Sequence, residues 1–418
     1  MLPYADALKI ILSGREPQST KTVSLNHALG QISAARITGT ENIPPFHNSA
    51  MDGYAVKSNS VRDATMENPV ILCVDGSTMA GDSPSDGGDG AWEIMTGAPV
   101  PDAYDAVIRI EDTRILETND KQRPIKISIM ERGFPGKNIR KAGTDFCPGD
   151  LLIEKRVEIT PHHIMVLAAL GQDNIPVTTP PKAAVISTGK ELVDEMDRTL
   201  LPGQIRNCNA PYLMQSLKSH GIPATNEGTI FDEPEKFEQK VREILSKDVQ
   251  IILSSGAVSM GRYDFIPDGL RAMGAEILFH KTAIRPGKPI LFARFPCGTT
   301  YFGLPGNPVA SAVGLRFFAY PLIRKLRGMK PENPVQAVLK NDFSKDSLFR
   351  FFQKSFCQHD EKGRLVVEIL PGQESFKIKP MLAQNCWAVI PEGGLSLKAG
   401  TMIDIYPLYP GFAAGGLL

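Results

Sequence analysis

Between residues 179 and 327 short apolar runs alternate with amphipathic stretches, and this alternation restricts the fold more than any other feature of the chain. Strand-like runs cover 183–187, 225–231, 249–253 and 276–284. Helix-like stretches cover 209–220, closed by Gly221, and 234–247, whose Phe237, Val241, Ile244 and Leu245 share one face. A further helix reaches Gly274, and a last one runs from Pro308 to about Arg327. Residues 289–295 and 300–304 suit a hairpin around Pro296-Cys297-Gly298. Strands and helices in turn predict a doubly wound, mostly parallel sheet, because parallel neighbours need a crossover connection.

The flanking segments have a different rhythm. Residues 1–43 read as helical and then extended, with Ala7, Leu8, Ile11 and Leu12 at helical spacing. From 44 to 145 short β-like runs (70–74, 106–110, 125–129) alternate with turn-rich stretches such as 81–90. Residues 146–178 return to a strand-like run, 151–153, and a short helix, 161–170. They are expected to pair with the N-terminal region, which makes 44–145 an insertion. Residues 328–418 hold strand candidates at 335–339, 365–369, 387–390 and 402–406, and predict a small β-barrel or sandwich.

Composition narrows the function classes. The 418 residues carry 46 Lys plus Arg against 46 Asp plus Glu, a zero net charge that argues against a nucleic-acid binder. The six cysteines form no CxxC pair and the seven histidines no HExxH, so neither a zinc knuckle nor a redox motif is visible. Free thiols suit a reducing compartment. The N-terminus lacks a basic start and apolar core, and the apolar stretch before residue 327 is broken by Arg316 and Pro321. The expectation is a cytoplasmic protein with no membrane span.

Three loops follow strand candidates: Ser187-Thr188-Gly189-Lys190-Glu191, Ser254-Ser255-Gly256-Ala257-Val258-Ser259-Met260-Gly261 and Leu304-Pro305-Gly306-Asn307-Pro308. Ligands bind outside the carboxyl ends of strands in such sheets, where glycine lets backbone N–H groups approach an anion. The motif is neither GxxxxGK[ST] nor GxGxxG. Each loop alone is also ordinary turn chemistry, and Asn307-Pro308 also makes a good helix start. Arg285-Pro286-Gly287-Lys288-Pro289 puts two cations on a proline-bracketed loop suited to oxyanions; a solvated basic turn is an equal reading. Glu191, Asp232 and Asp264 stand at strand ends, where carboxylates beside phosphate suggest Mg²⁺. Asp232 with Glu235 also reads as a capping box, and Asp264 as a helix cap.

The chain resembles the molybdopterin molybdenumtransferase family, which includes bacterial MoeA and the E domain of gephyrin. The resemblance spans nearly the whole chain. Its most specific stretch is Pro44-Pro45-Phe46-His47-Asn48-Ser49-Ala50-Met51-Asp52-Gly53-Tyr54-Ala55-Val56. In family order follow Ile94-Met95-Thr96-Gly97-Ala98-Pro99-Val100-Pro101, Asn138-Ile139-Arg140 with Gly143 and Asp145, Ser187-Thr188-Gly189 with Glu191-Leu192, and Leu304-Pro305-Gly306-Asn307-Pro308.

The resemblance implies four domains: a discontinuous, dimerising domain I (1–43 and 146–178), an inserted mostly-β domain II (44–145), a three-layer αβα, MogA-like domain III (179–327) and a β-barrel domain IV (328–418). It implies a homodimer whose active site is shared between domain III of one subunit and Asp52, Thr96 and Asp145 of the other. The implied reaction takes adenylylated molybdopterin and molybdate, cleaves the phosphoanhydride, releases AMP and inserts the metal, helped by Mg²⁺. Arg140, Arg285 and Lys288, with Ser255, Ser259 and the loop N–H groups of Gly256, Gly306 and Asn307, would hold the anions. Glu191, Asp232 and Asp264 would place water or Mg²⁺, with Glu191 and Asp264 as metal ligands. A molybdopterin adenylyltransferase is a possible delivering partner, and no residue distinguishes molybdate from tungstate. Competing readings are a scaffolding protein on the gephyrin E fold and the adenylyltransferase itself. The chain departs from the family pattern at Ala257, Lys190, Asn207-Cys208-Asn209 and Ser375–Pro380, where Lys379 stands in a usually serine-rich stretch. Lost acids and gained lysines are expected to make the site more cationic.

Overall fold

The computed structural model describes residues 1–231, 233–256 and 265–408. The strands Ala183–Thr188, Ile251–Ser255 and Thr300–Leu304 are buried at every position, so they carry no polar alternation. Their successive side chains face opposite ways. Ala183 and Val185 join one apolar cluster with Leu213 and Leu217 of the helix Asn209–Ser219. Ala184 and Ile186 join another with Phe237 and Val241 of the helix Pro234–Leu245. Helices therefore cover both faces, giving three layers.

The sheet order is Ala224–Ile230, Ala183–Thr188, Ile251–Ser255, Thr300–Leu304, Leu291–Arg294, Glu276–His280. The first four strands run parallel. The last two pairings are antiparallel, so the sheet is mixed. The reason is local: the connection from Arg294 to Thr300 is too short for a crossover and turns back as the expected hairpin.

The last helical stretch, Pro308–Gly314, Leu315–Ala319 and Tyr320–Leu326, widens to a π-turn in its middle segment. Pro321 has no N–H to give to the carbonyl four residues earlier. That carbonyl, on Phe317, accepts the hydroxyl of Tyr4 at 3.1 Å. Tyr4 also meets Phe318 and Phe352 edge-on, with centroids 5.3 and 5.4 Å away. The N-terminal helix Tyr4–Leu12 thus buries Ala7 and Ile11 in the core of the α/β unit.

The next segments close on themselves. Thr20–Val23 pairs with Ile175–Thr178, and Ile37–Thr38 with Leu151–Ile153, so the chain leaves and re-enters one small core around residue 44–145. That intervening stretch forms its own six-stranded sheet. The C-terminal strands form a closed ring in the order Arg350–His359, Leu365–Ile369, Val335–Leu339, Met402–Pro407, Cys386–Ile390 and back to Arg350–His359. Closure leaves little free strand edge among the described residues. Among the described residues no helix is long and apolar enough to cross a membrane.

Arg350–His359 is missing from the sequence-based strand candidates. Its residues Phe351–Ser355 are all buried, including Lys354, so neither alternation nor a pure apolar run marks it. At its start, Arg350 and Phe351 pair in parallel with Ile284 and Arg285. The barrel is thereby fastened to the α/β unit beside the basic loop.

Candidate active site

The three loops do meet. Ser187, Ser255 and Leu304 are in register across adjacent parallel strands, so their loops leave the sheet side by side. The N–H of Gly256 donates to the carbonyl of Leu304 at 3.0 Å. A Cβ on Gly256 would stand 2.2 Å from the carbonyl oxygen of Thr188, and its φ is +98°. A Cβ on Gly306 would lie 3.7 Å from the Gly256 Cα. Glycine at 256 is what lets the loops touch.

The side chains around them divide into buried supports and exposed groups. The Ser255 hydroxyl is buried and faces that of Ser187 at 3.4 Å. Asn207 is 2 % exposed, and its amide nitrogen donates to Ser187 Oγ at 2.9 Å and Asp194 Oδ1 at 2.8 Å. A carboxylate at 207 has no hydrogen to give to Asp194, so this departure from the family pattern belongs to packing. Asn209 donates to the carbonyl of Gly306 at 2.8 Å. Neither asparagine is among the site residues expected from the sequence; the signals that point to them are the departure at Asn207-Cys208-Asn209 and the position of Asn209 at a helix start. Glu191 is exposed and forms no ion pair among the described residues. Its carboxylate folds back to within 2.7 Å of where a Gly189 Cβ would stand. Asn307 sits at the cap of the following helix, with Pro308 in the first turn, but its side chain makes no capping bond.

On the basic loop, Pro286 and Gly287 are buried while Arg285 and Lys288 are exposed. A Cβ on Gly287 would lie 3.6 Å from the Ala310 carbonyl, so the loop abuts the helix that begins at Pro308. The Arg285 guanidinium stands 5.6 Å from the Phe351 ring and the Lys288 ammonium 5.8 Å from the Phe349 ring. Rings hold these cations without neutralising them.

A second group gathers on the 44–145 segment. Asn48–Ser49 pairs with Ile139–Arg140. Asp52 Oδ1 accepts the N–H of Thr96 at 2.7 Å and its hydroxyl at 2.9 Å. The Thr96 N–H, then its hydroxyl, hold the Asp52 carboxyl below the usual carboxylate range. Asp145 is tied back by its N–H to the carbonyl of Ile43 at 2.9 Å. Among the described residues, no hydrogen bond, ion pair or β-bridge joins this group to the loops of the α/β unit.

Asp232, Ser259 and Asp264 lie outside the described residues, as does Ala257. The helix Pro234–Leu245 takes Glu233 at its cap, and Glu233 makes no side-chain capping bond, so Glu235 does not stand at the position the expected capping box requires. Proline favours the first helical position and sets that start. Among the described residues no cluster of three metal-ligating side chains occurs.

Three sequence families match in order: the MoeA N-terminal region (domain I and II) over residues 2–171, the probable molybdopterin binding domain over 184–325, and the MoeA C-terminal region (domain IV) over 336–408. The molybdopterin molybdenumtransferase of Synechococcus elongatus is 33% identical over 417 residues, 98% of this chain and 100% of that protein. The chain belongs to the molybdopterin molybdenumtransferase family. The enzyme of that name from Bacillus subtilis is 32% identical over 97% of this chain and 93% of its own. Two structures of the molybdopterin biosynthesis MoeA protein of Pyrococcus horikoshii superpose with TM-scores of 0.81 and 0.78 at 29% and 26% identity. They cover 98% and 97% of this chain and 99% of each of theirs. Membership in the molybdopterin molybdenumtransferase family gives the chain a transferase role in molybdenum cofactor biosynthesis.

Proposed function

We propose that this transferase inserts molybdate into adenylylated molybdopterin, cleaving the phosphoanhydride and releasing AMP. One observation carries the reading: three strand-end loops touch through Gly256 beside Arg285 and Lys288, cations with no ion pair among the described residues. Both substrates are anions and repel each other, so the reaction needs fixed positive charge and N–H donors in one place. The N–H groups of Gly306 and Asn307 and the two cations supply that, whereas the Gly256 N–H expected to join them is already taken by the Leu304 carbonyl. The division into domains I to IV at residues 44, 146, 179 and 328 belongs to the same reading.

Among the described residues, Asp52, Thr96, Arg140 and Asp145 form no hydrogen bond, ion pair or β-bridge with these loops, and a homodimer whose second copy completes the site would bring the two groups together. Mg²⁺ fits one described side chain, the unpaired and exposed carboxylate of Glu191. It usually takes only one or two carboxylates with substrate oxygens, so a three-residue cluster is not required. When bound it would screen the phosphate charge; Asp264 is the second proposed ligand.

Purified protein mixed with adenylylated molybdopterin, Mg²⁺ and molybdate should release AMP and yield cofactor that activates an apo-molybdoenzyme. Intact substrate, under conditions in which the Bacillus subtilis relative turns over, overturns the proposal. Mixing inactive Asp52→Ala and Arg285→Ala chains should restore part of the activity, because hybrid dimers contain one complete site. No restoration in a mixture shown to exchange subunits refutes the shared site.

A further inference from the structure

The basic loop is closed on itself and fastened by parts of the chain outside the α/β unit. The N–H of Thr282 donates to the carbonyl of Lys288 at 3.0 Å, which closes the loop. The N–H of Ala283 donates to the carbonyl of Leu2 at 2.8 Å, and the N–H of Arg350 donates to the carbonyl of Ala283 at 2.9 Å. The backbone that leads into Arg285 is therefore held by the start of the chain and by the first residue of the longest barrel strand.

The side chains follow the backbone. Among the described residues neither Arg285 nor Lys288 has an ion pair, and each stands near a barrel ring instead: Phe351 at 5.6 Å from the Arg285 guanidinium, Phe349 at 5.8 Å from the Lys288 ammonium. Cation–π attraction reaches to about 6 Å from the ring centroid, so both contacts are weak ones. Their value lies in direction. A carboxylate would hold either cation more tightly and cancel its charge towards an incoming anion, whereas a ring restrains it and leaves the charge in place. Glu392 approaches the same stretch, but Arg350 takes both its oxygens at 3.0 Å.

The rings are themselves fixed. Phe351 is buried, and so is Lys345, whose ammonium lies over the Phe351 ring at 4.8 Å. The same ammonium donates to the carbonyls of Phe349 and Pro391. One buried lysine thus holds the backbone of one ring residue and the ring of the other.

We infer that Phe349 and Phe351 are positioning residues of the anion site, through which the barrel aims Lys288 and Arg285 at the oxyanion without touching it. The inference rests on the reading of those two cations as oxyanion ligands, and it gives the barrel a part in that site. Preorganisation is the physical gain. A long side chain that is free in water loses rotamer freedom when it binds, and one already restrained loses less.

The test is calorimetric titration of the full chain with molybdate. Arg285→Ala and Lys288→Ala come first and should each weaken binding. If both bind molybdate normally, the cations are not the oxyanion site, and the inference falls with that reading before any ring is altered. Phe351→Leu and Phe349→Leu should then each weaken binding about two- to fivefold, the usual worth of an exposed cation–π contact. Phe351→Tyr and Phe349→Tyr keep a ring and should bind as the wild type does. Phe349→Leu should cost nothing further in the Lys288→Ala chain and its full amount in the Arg285→Ala chain, with the reverse for Phe351→Leu. A merely structural role for the rings would give the same loss in both backgrounds, and that result overturns the inference. So does unchanged or tighter binding in both leucine variants, or tyrosine variants as weak as the leucine ones. If Phe351→Leu fails to fold, the half-buried Phe349 decides alone through Lys288.

Discussion

Asn209 hands its side-chain amide hydrogen to the backbone carbonyl of Gly306 across 2.8 Å. The bond ties the start of one helix to the loop that opens another, over a sequence separation of 97 residues. Asn209→Ala should cost about 1 kcal/mol of stability, the usual net value of a neutral hydrogen bond. The loop loses its tether, so affinity for phosphate should fall several-fold in calorimetric titration. Asn209→Asp should be worse, because a carboxylate then faces a carbonyl. Wild-type affinity in both variants would remove Asn209 from the site.

Gly256 should tolerate no side chain. Its Cβ would meet the Thr188 carbonyl at 2.2 Å, and its φ of +98° strains any other residue. Gly256→Ala should lower stability by about 3 kcal/mol, near the top of the range for single substitutions. A denaturant melt checks this, and a loss under 1 kcal/mol would mean that the loops separate freely.

Asn207→Asp restores the acid more usual in the family and should nonetheless destabilise this chain, by about 1–3 kcal/mol at pH 7. It removes the donor held by Asp194 at 2.8 Å and sets two carboxylates against each other. The new acid would have a folded pKa above its unfolded value. The defect should therefore shrink as pH falls through that raised pKa, and melts at pH 7 and pH 5 compare the two states.

Thr96 controls the charge of Asp52. A folded pKa below the unfolded value contributes stability above the unfolded pKa of about 3.9, and loses it as pH falls through the folded value. Thr96→Val keeps the N–H donor and removes the hydroxyl, so the Asp52 pKa should rise part of the way to normal. Carbon-detected NMR titration of the carboxyl reads this directly, and an unmoved titration would assign the whole shift to the backbone.

Lys354 is fully buried, and its ammonium donates to the carbonyls of Gly372 at 2.6 Å, Lys377 at 2.9 Å and Glu374 at 3.2 Å. The same turn presents the Ser375 carbonyl to the N–H of Val309 at 3.1 Å. Lys354→Met should cost about 2 kcal/mol and speed amide exchange at residues 372–377 and at Val309. Faster exchange in the barrel alone would uncouple the turn from the α/β unit.

Much of the fold was legible because it follows from local pattern. The strand at 183–188 reads as a continuous apolar run, and the helix at 234–245 as one apolar face, whatever surrounds them. The longest barrel strand was illegible because Lys354 interrupts its apolar pattern, and only the three carbonyls make a buried lysine tolerable there. The site shows the same division. The glycine loops and the Arg285–Lys288 cations stand out in sequence, whereas Asn207 and Asn209 act through partners far along the chain.

By itself, then, the sequence determined the order of most strands and helices, the family and the candidate anion-binding residues, since each depends on neighbours within a few positions. Only the tertiary structure decided that the hairpin makes the sheet mixed and that the N-terminal helix shares the α/β core through Tyr4 and Phe317. It also decided that, among the described residues, the Asp52 corner forms no hydrogen bond, ion pair or β-bridge with the loops in its own chain. Those outcomes depend on which surfaces meet after long segments of chain have closed, and no local periodicity encodes that meeting.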